Sequence, residues 1–220
     1  FPYTTLFRSS ITESIGARRM GNAPATIDWL LTDSRSLNFP EETLFFALTT
    51  KRNDGARYIA DLYARGVRNF VLSEESFRLM DNGQLTIDNA MQRDDAQSIV
   101  NYLIVPNPLK ALQKLAEQHR NRFQIPVIGI TGSNGKTVVK EWLHQLLSPE
   151  RAIIRSPRSY NSQIGVPLSV WQMNEQSELA IFEAGISEPG EMRALQNIIK
   201  PTIARKSARL NSSHITISYA

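Results

Sequence analysis

Apolar residues in this chain come in short runs of strand length, alternating with stretches of helical spacing. Ile27–Leu31 and Thr43–Leu48 predict strands, with Asp33, Ser34 and Arg35 on the loop between them. In Ala56–Arg65 the apolar positions Ile59, Ala60, Leu62 and Tyr63 follow helical spacing, and Gly66 stands where a C-terminal cap belongs. Val67–Leu72 predicts the next strand. Asn101–Val105 is a further apolar run ending at Pro106, and Asn107 with Pro108 makes an N-cap and first helical position. That helix runs to about Arg122, with Leu112, Leu115 and Ala116 on one face. Pro126 opens a new unit, so a domain boundary is expected between about 105 and 125. Val127–Thr131 suits a strand buried on both faces of a parallel sheet. Val138–Leu147, apolar at Val138, Val139, Trp142, Leu143, Leu146 and Leu147, predicts an amphipathic helix. Leu179–Phe182 predicts another strand, and Ser187–Glu191 a helix start. The alternation of strand and helix places the chain in the α/β class.

Composition adds little to this but excludes several classes. With 41% hydrophobic and 21% charged residues among 220, the chain is neither disordered nor a coiled coil. No window approaches about 18 consecutive apolar residues, and no export signal is recognisable. The absence of cysteine removes disulfides and thiolate metal sites and fits the cytoplasm. The net charge of +4 would suggest a nucleic-acid partner, but its placement argues otherwise. Arg8, Arg205, Lys206 and Arg209 lie in terminal segments (1–9 and 204–220) without acids; setting them aside leaves 21 bases against 21 acids. No nucleic-acid partner is expected. Those segments, FPYTTLFRS and ARKSARLNSSHITISYA, resemble translated sequencing-adapter read-through and are expected to stand outside the fold. Natural loose termini are the alternative.

Candidate chemistry concentrates after Val127–Thr131. Gly132-Ser133-Asn134-Gly135-Lys136-Thr137 lies between the predicted strand and helix, the arrangement a nucleotide phosphate site requires. Glycines let backbone N–H groups turn towards phosphate oxygens. Lys136 would neutralise the β- and γ-phosphates, and the Thr137 hydroxyl would bind Mg²⁺. The general pattern asks for glycine at position 130, where the chain has Ile130 and places Gly129 one residue early. A glycine turn that merely caps a strand is the plainer alternative. Glu183 ends the Leu179–Phe182 strand, where a carboxylate can hold Mg²⁺ opposite a phosphate loop; alone it would read as an ordinary strand-end charge. Asp33-Ser34-Arg35 is equally suited to a turn held by its own side chains. Tyr160 and Trp171 are expected in the core, and His119 and His144 at a surface or a helix cap. His214 lies in the terminal segment.

GITGSNGKT (129–137), SYNSQIGVPLSV (159–170) and FEAGISEPGEM (182–192) closely resemble the Mur ligases, ATP-dependent enzymes that add amino acids to the cell-wall precursor UDP-N-acetylmuramate. TDSRSL (32–37), ETLFFAL (42–48) and NDGARYI (53–59) are similar to that family's N-terminal uridine-nucleotide domain, although its usual Asp-Gly-His reads Asp54-Gly55-Ala56 here. The resemblance covers about residues 11–203 and implies a small N-terminal α/β domain (10–105), a linker helix region (106–125) and an incomplete P-loop parallel-sheet domain (126–203). Within the family the sequence is most similar to the member that joins D-alanyl-D-alanine to UDP-N-acetylmuramoyl-tripeptide through an acyl phosphate, in the form some bacteria fuse to alanine racemase. A sister ligase adding the third amino acid, a folate polyglutamylating ligase and a non-catalytic nucleotide-binding module remain alternatives. By resemblance ATP and Mg²⁺ are the cofactors. Lys136 and Glu183 would be catalytic, with Thr137 and Glu183 on the metal. Gly132, Ser133, Asn134, Gly135, Lys136, Thr137 and Asn161 would contact ATP, and Ser34, Arg35, Thr49, Thr50 and Gln163 the substrate. The family continues beyond Lys200-Pro201-Thr202-Ile203, so these residues alone are expected not to ligate.

Overall fold

The apolar runs of the first hundred residues become the strands of one sheet in the computed structural model, which describes residues 8–21, 23–50, 53–81, 100–185 and 190–207. Two units divide between Arg122 and Phe123. The first contains β1 (Arg18–Met20), β2 (Trp29–Leu31), β3 (Thr43–Phe46), β4 (Thr49–Thr50), β5 (Asn53–Asp54), β6 (Asn69–Ser73) and β7 (Asn101–Val105). Its sheet has the order β1-β7-β6-β3-β2, all neighbours parallel except the antiparallel edge strand β1, while β4 and β5 form a separate antiparallel pair. Phe45, Phe70 and Tyr102 stand in register across β3, β6 and β7. Their rings meet edge-on at 6.4 Å and stacked at 5.9 Å, and they form a core with Leu31, Ile59, Leu62, Val67 and Leu72.

Helices α1 (Arg8–Ile15), α2 (Ile59–Ala64), α3 (Glu74–Asp81) and α4 (Pro108–Arg120) flank this sheet. The helix expected over 56–65 opens instead as a 3₁₀ turn, Gly55–Tyr58, because the Asp54 carboxylate accepts from Ala56 N–H at 3.0 Å. Gly55 is required there: a Cβ would lie 2.8 Å from the backbone nitrogen of Leu48. The α4 cap forms as expected, with extended Asn107 accepting from Lys110 N–H at 3.0 Å and Pro108 in the first turn. Asn107→Ala should therefore cost the first unit about 1 kcal/mol, read as a lowered urea midpoint at unchanged slope. The region set aside as a linker helix is a core helix of this unit. Ala111, Leu112, Leu115 and Ala116 are buried, and Gln118 donates to the Ser14 carbonyl of α1. His119 is buried on α4 rather than at a surface. Helix α1 begins at Arg8, inside the segment expected to stand apart.

The second unit contains β8 (Val127–Gly132), α5 (Lys136–Leu147), β9 (Ile153–Arg155), α6 (Gly165–Val170), β10 (Leu179–Ala184), α7 (Glu191–Ile199) and β11 (Ile203–Ser207). Its parallel sheet has the order β11-β8-β10-β9, so β8 has a strand on either side; Ile130 packs on the α5 face of the sheet and Gly129 lies against Ile199 and Pro201 on the other, the two-sided cover its apolar sequence predicts. Strand β11 continues to Ser207, past the limit expected at 203. Arg205 and Lys206 pair through backbone with Ile130 and Thr131, a bond that needs no apolar side chain. Glu191 opens α7, while Ser187 lies outside the described residues, as do 1–7 and 208–220, including Arg209 and His214. Helix α5 carries two apolar stripes, of which Val139, Leu143 and Leu147 face the sheet. Val138, Trp142 (62% exposed) and Leu146 (73%) point outward. Among the described residues no helix is long and apolar enough to cross a membrane.

Candidate nucleotide site

The glycine loop leaves β8 at Gly132 (φ +134°) and enters α5 at Gly135 (φ +79°), backbone conformations that favour glycine. Ile130 departs from the general pattern without harm: it lies within β8, fully buried against Leu179 and Ile181, and the turn begins only after it. Ser133, Asn134 and Gly135 are exposed at the N-terminus of α5, where the helix dipole favours an anion. Lys136 Nζ donates to the Gly132 carbonyl at 2.6 Å, folding its ammonium back over the loop.

Glu183 is fully buried at the C-terminal end of β10, in register with Ile130 of β8. Its Oε2 accepts from the Thr137 hydroxyl at 3.1 Å, so the two expected metal-binding oxygens are neighbours. On the other side, Oε1 forms an ion pair with Lys140 Nζ at 3.0 Å. Lys140 is itself fully buried, pairs with Glu141 at 3.2 Å, and donates to the carbonyls of Ser156 (2.8 Å) and Arg158. Glu141 in turn pairs with Arg155, so two cations and two carboxylates form one neutral network. Sequence reasoning missed Lys140, which passes for the polar face of an amphipathic helix. A signal existed: it stands three and four residues after Thr137 and Lys136, hence on their face of the helix.

Asn161 is placed beside the same strand end. Its carbonyl accepts from Gly185 N–H at 2.7 Å, and its Oδ1 lies 2.9 Å from where a Gly185 Cβ would stand. Glycine at 185 thus admits the asparagine. Gln163 Nε2 donates to Glu191 Oε1 at 2.6 Å, which ties α6 to α7. Tyr160, expected in the core, is 40% exposed, and Trp171 is partly buried after α6. His144 meets the Arg155 guanidinium at 3.1 Å.

In the first unit, β2, β3 and β6 are parallel, so the segments that follow them leave the same sheet edge, the usual position of ligands in such folds. The turn alternative for Asp33-Ser34-Arg35 is realised as a 3₁₀ turn over Ser34–Ser36. The Asp33 carboxylate accepts from Arg35 N–H at 3.0 Å and pairs with its guanidinium at 2.6 Å. These bonds hold the Asp33 carboxyl below its ordinary pKa. Arg35 is highly exposed and would reach an anion by exchanging its Asp33 contact. The Ser34 carbonyl accepts from Arg65 at 2.8 Å. Thr49 Oγ1 donates to Asp54 at 3.3 Å, and Asp54 also accepts from Ser76, which bonds Ser73. This polar chain at the sheet edge was not legible in sequence beyond Thr49. Thr50 pairs with Asn53 through backbone, its side chain lying outside the described residues.

Residues 130–214 match the model of the Mur ligase middle domain, a span that holds Lys136, Thr137, Asn161 and Glu183. That segment is a Mur ligase middle domain. The chain is 32% identical over 184 residues to UDP-N-acetylmuramoyl-tripeptide--D-alanyl-D-alanine ligase of Borreliella burgdorferi, covering 83% of itself and 38% of that protein. It is 30% identical over 178 residues to the Bacillus subtilis protein of the same name, covering 81% and 35%. It thus spans less than two-fifths of the length of these relatives. Its fold is shared with MurF from Acinetobacter baumannii (TM-score 0.77, 23% identity, 98% of this chain and 43% of that one). It is also similar to MurF ligase from Thermotoga maritima solved in complex with ADP (TM-score 0.60, 26% identity, 79% and 35%).

Proposed function

We propose that this chain forms the ATP site and the uridine-nucleotide site of a cytoplasmic ligase that adds D-alanyl-D-alanine to UDP-N-acetylmuramoyl-tripeptide during peptidoglycan synthesis. The observation that carries this is the meeting of Lys136, Thr137 and Glu183 at the C-terminal edge of a parallel sheet, directly before a helix N-terminus. The names of its relatives supply the substrates.

In this reading the N–H groups of the loop and the Lys136 ammonium hold the phosphates of ATP, and Asn161 borders them. The terminal carboxylate of the tripeptide attacks the γ-phosphorus, ADP leaves, and the resulting acyl phosphate is attacked by the amine of D-alanyl-D-alanine with loss of phosphate. Such chemistry rests on positioning and charge neutralisation rather than a protein nucleophile. The adjacent hydroxyl of Thr137 and carboxylate of Glu183 are hard oxygen donors of the kind Mg²⁺ takes together with phosphate and water. Among the described residues no cluster of three His, Cys, Asp or Glu offers a protein-only metal cage. Bound there, Mg²⁺ would neutralise developing charge on the phosphates. Ser34, Arg35, Thr49 and Thr50 belong to the uridine-diphosphate side, and Gln163 acts by holding α6 to α7.

Titration calorimetry of the chain with ATP and Mg²⁺ tests this. Binding is expected, and Lys136→Ala should weaken it about 10- to 100-fold, the worth of one charge-assisted contact. UDP-N-acetylmuramoyl-tripeptide should bind as well. Absence of ATP binding, or an alanine variant that binds as tightly, would refute the site; ATP binding without precursor binding would point to a plain nucleotide-binding module.

A further inference from the structure

We infer that Lys140 is a positioning residue of the nucleotide site, whose buried ammonium holds the Glu183 carboxylate against Thr137 and thereby sets how tightly Mg²⁺ is taken up with ATP. This rests on the phosphate-site reading above. A fully buried lysine is costly in a fold, and an apolar side chain of similar volume would serve packing as well or better. Its surroundings show what it holds. Four oxygens converge on Nζ: Glu183 Oε1 at 3.0 Å, Glu141 Oε1 at 3.2 Å, and the carbonyls of Ser156 at 2.8 Å and of Arg158. Arg158 presents its carbonyl from the left-handed region (φ +48°), a conformation that disfavours a non-glycine residue and persists only where its surroundings enforce it.

The consequence for Glu183 is geometric. Lys140 takes Oε1, the Thr137 hydroxyl takes Oε2, and the Glu183 N–H is bonded to Ser156 Oγ at 3.1 Å. The carboxylate is thus held from both ends, by an ion pair at Oε1 and a hydrogen bond at Oε2, with the oxygen beside Thr137 turned to the phosphate loop. The same ammonium ties the 156–158 segment to α5, and that segment leads into Asn161, which is bonded at Gly185. One cation therefore connects the helix after the loop, the end of β10 and the strand-to-helix connection carrying Asn161. Groups that hold a metal ligand from behind commonly govern metal affinity by 10- to 100-fold.

The test compares ATP affinity of the 220-residue chain in Mg²⁺ and in EDTA, with thermal melting in parallel. In the wild type Mg²⁺ should strengthen ATP binding. In Lys140→Met, and in Lys140→Gln, which keeps a donor without the charge, that gain should shrink about 10-fold or more, while metal-free ATP affinity holds. Mn²⁺ binding followed by electron paramagnetic resonance in the presence of ATP should weaken in step. A folded variant with the full Mg²⁺ gain overturns the assignment. So does equal loss of affinity with and without metal, or failure of both variants to fold, since either makes Lys140 a structural residue only. If the wild type itself binds no ATP, or binds it indifferently to Mg²⁺, the phosphate-site reading fails first and takes this inference with it.

Discussion

Glu183→Ala is expected to lower the stability of the second unit by about 3 kcal/mol, because it strands a buried ammonium. Lys140 is fully buried and loses its closest carboxylate, leaving Glu141 at 3.2 Å and two neutral carbonyls to offset the charge. The Thr137 hydroxyl loses its acceptor in the same change. Glu183→Gln should be milder in stability, since the amide fills the same volume and still accepts from Thr137, yet it should remove the negative charge offered to a metal. Urea unfolding followed through Trp171 in a Trp29→Phe, Trp142→Phe background would read the difference. A loss below about 1 kcal/mol in the alanine variant would mean that Glu141 and the carbonyls suffice for Lys140.

Phe70→Ala should destabilise the first unit by about 3–5 kcal/mol. Its ring lies at the middle of a ladder that crosses three strands, edge-on to Phe45 and stacked on Tyr102, with no exposed surface. Its removal leaves a cavity on the face of the sheet between Phe45 and Tyr102, and the strands that carry them are fixed by pairing, so the surroundings have little freedom to collapse. The same burial pushes the Tyr102 phenol above its ordinary pKa, which keeps it neutral throughout the accessible range. Trp29, stacked on Phe39 in this unit, reports its unfolding when the other two tryptophans are replaced. A shift of under about 1 kcal/mol would show that the ladder repacks, and would place the rigidity of the unit elsewhere.

The features that sequence determined by itself are those enforced within a turn or two of the chain. The Asn107 cap, the strand expected over 127–131 and the helix expected over 138–147 depend on near neighbours in the chain, and each formed there, the strand ending at Gly132 and the helix starting at Lys136. Glu183 was legible for the same reason, as a charge ending an apolar strand. Tertiary structure decided what depends on remote partners. Helix α5 has two apolar stripes of similar composition, and only the placement of β8, β9 and β10 settles that Val139, Leu143 and Leu147 are covered while Trp142 and Leu146 are not. Gln163, read as a substrate contact, also meets Glu191 at the start of α7, a partner remote in sequence that no local pattern foretells. Backbone pairing, indifferent to side-chain pattern, carried β11 to Ser207. Lys140 is the sharpest case. Its sequence surroundings describe a solvated lysine, and it becomes a buried one only when the carbonyl of Ser156, sixteen residues on, and the carboxylate ending β10 close around its ammonium.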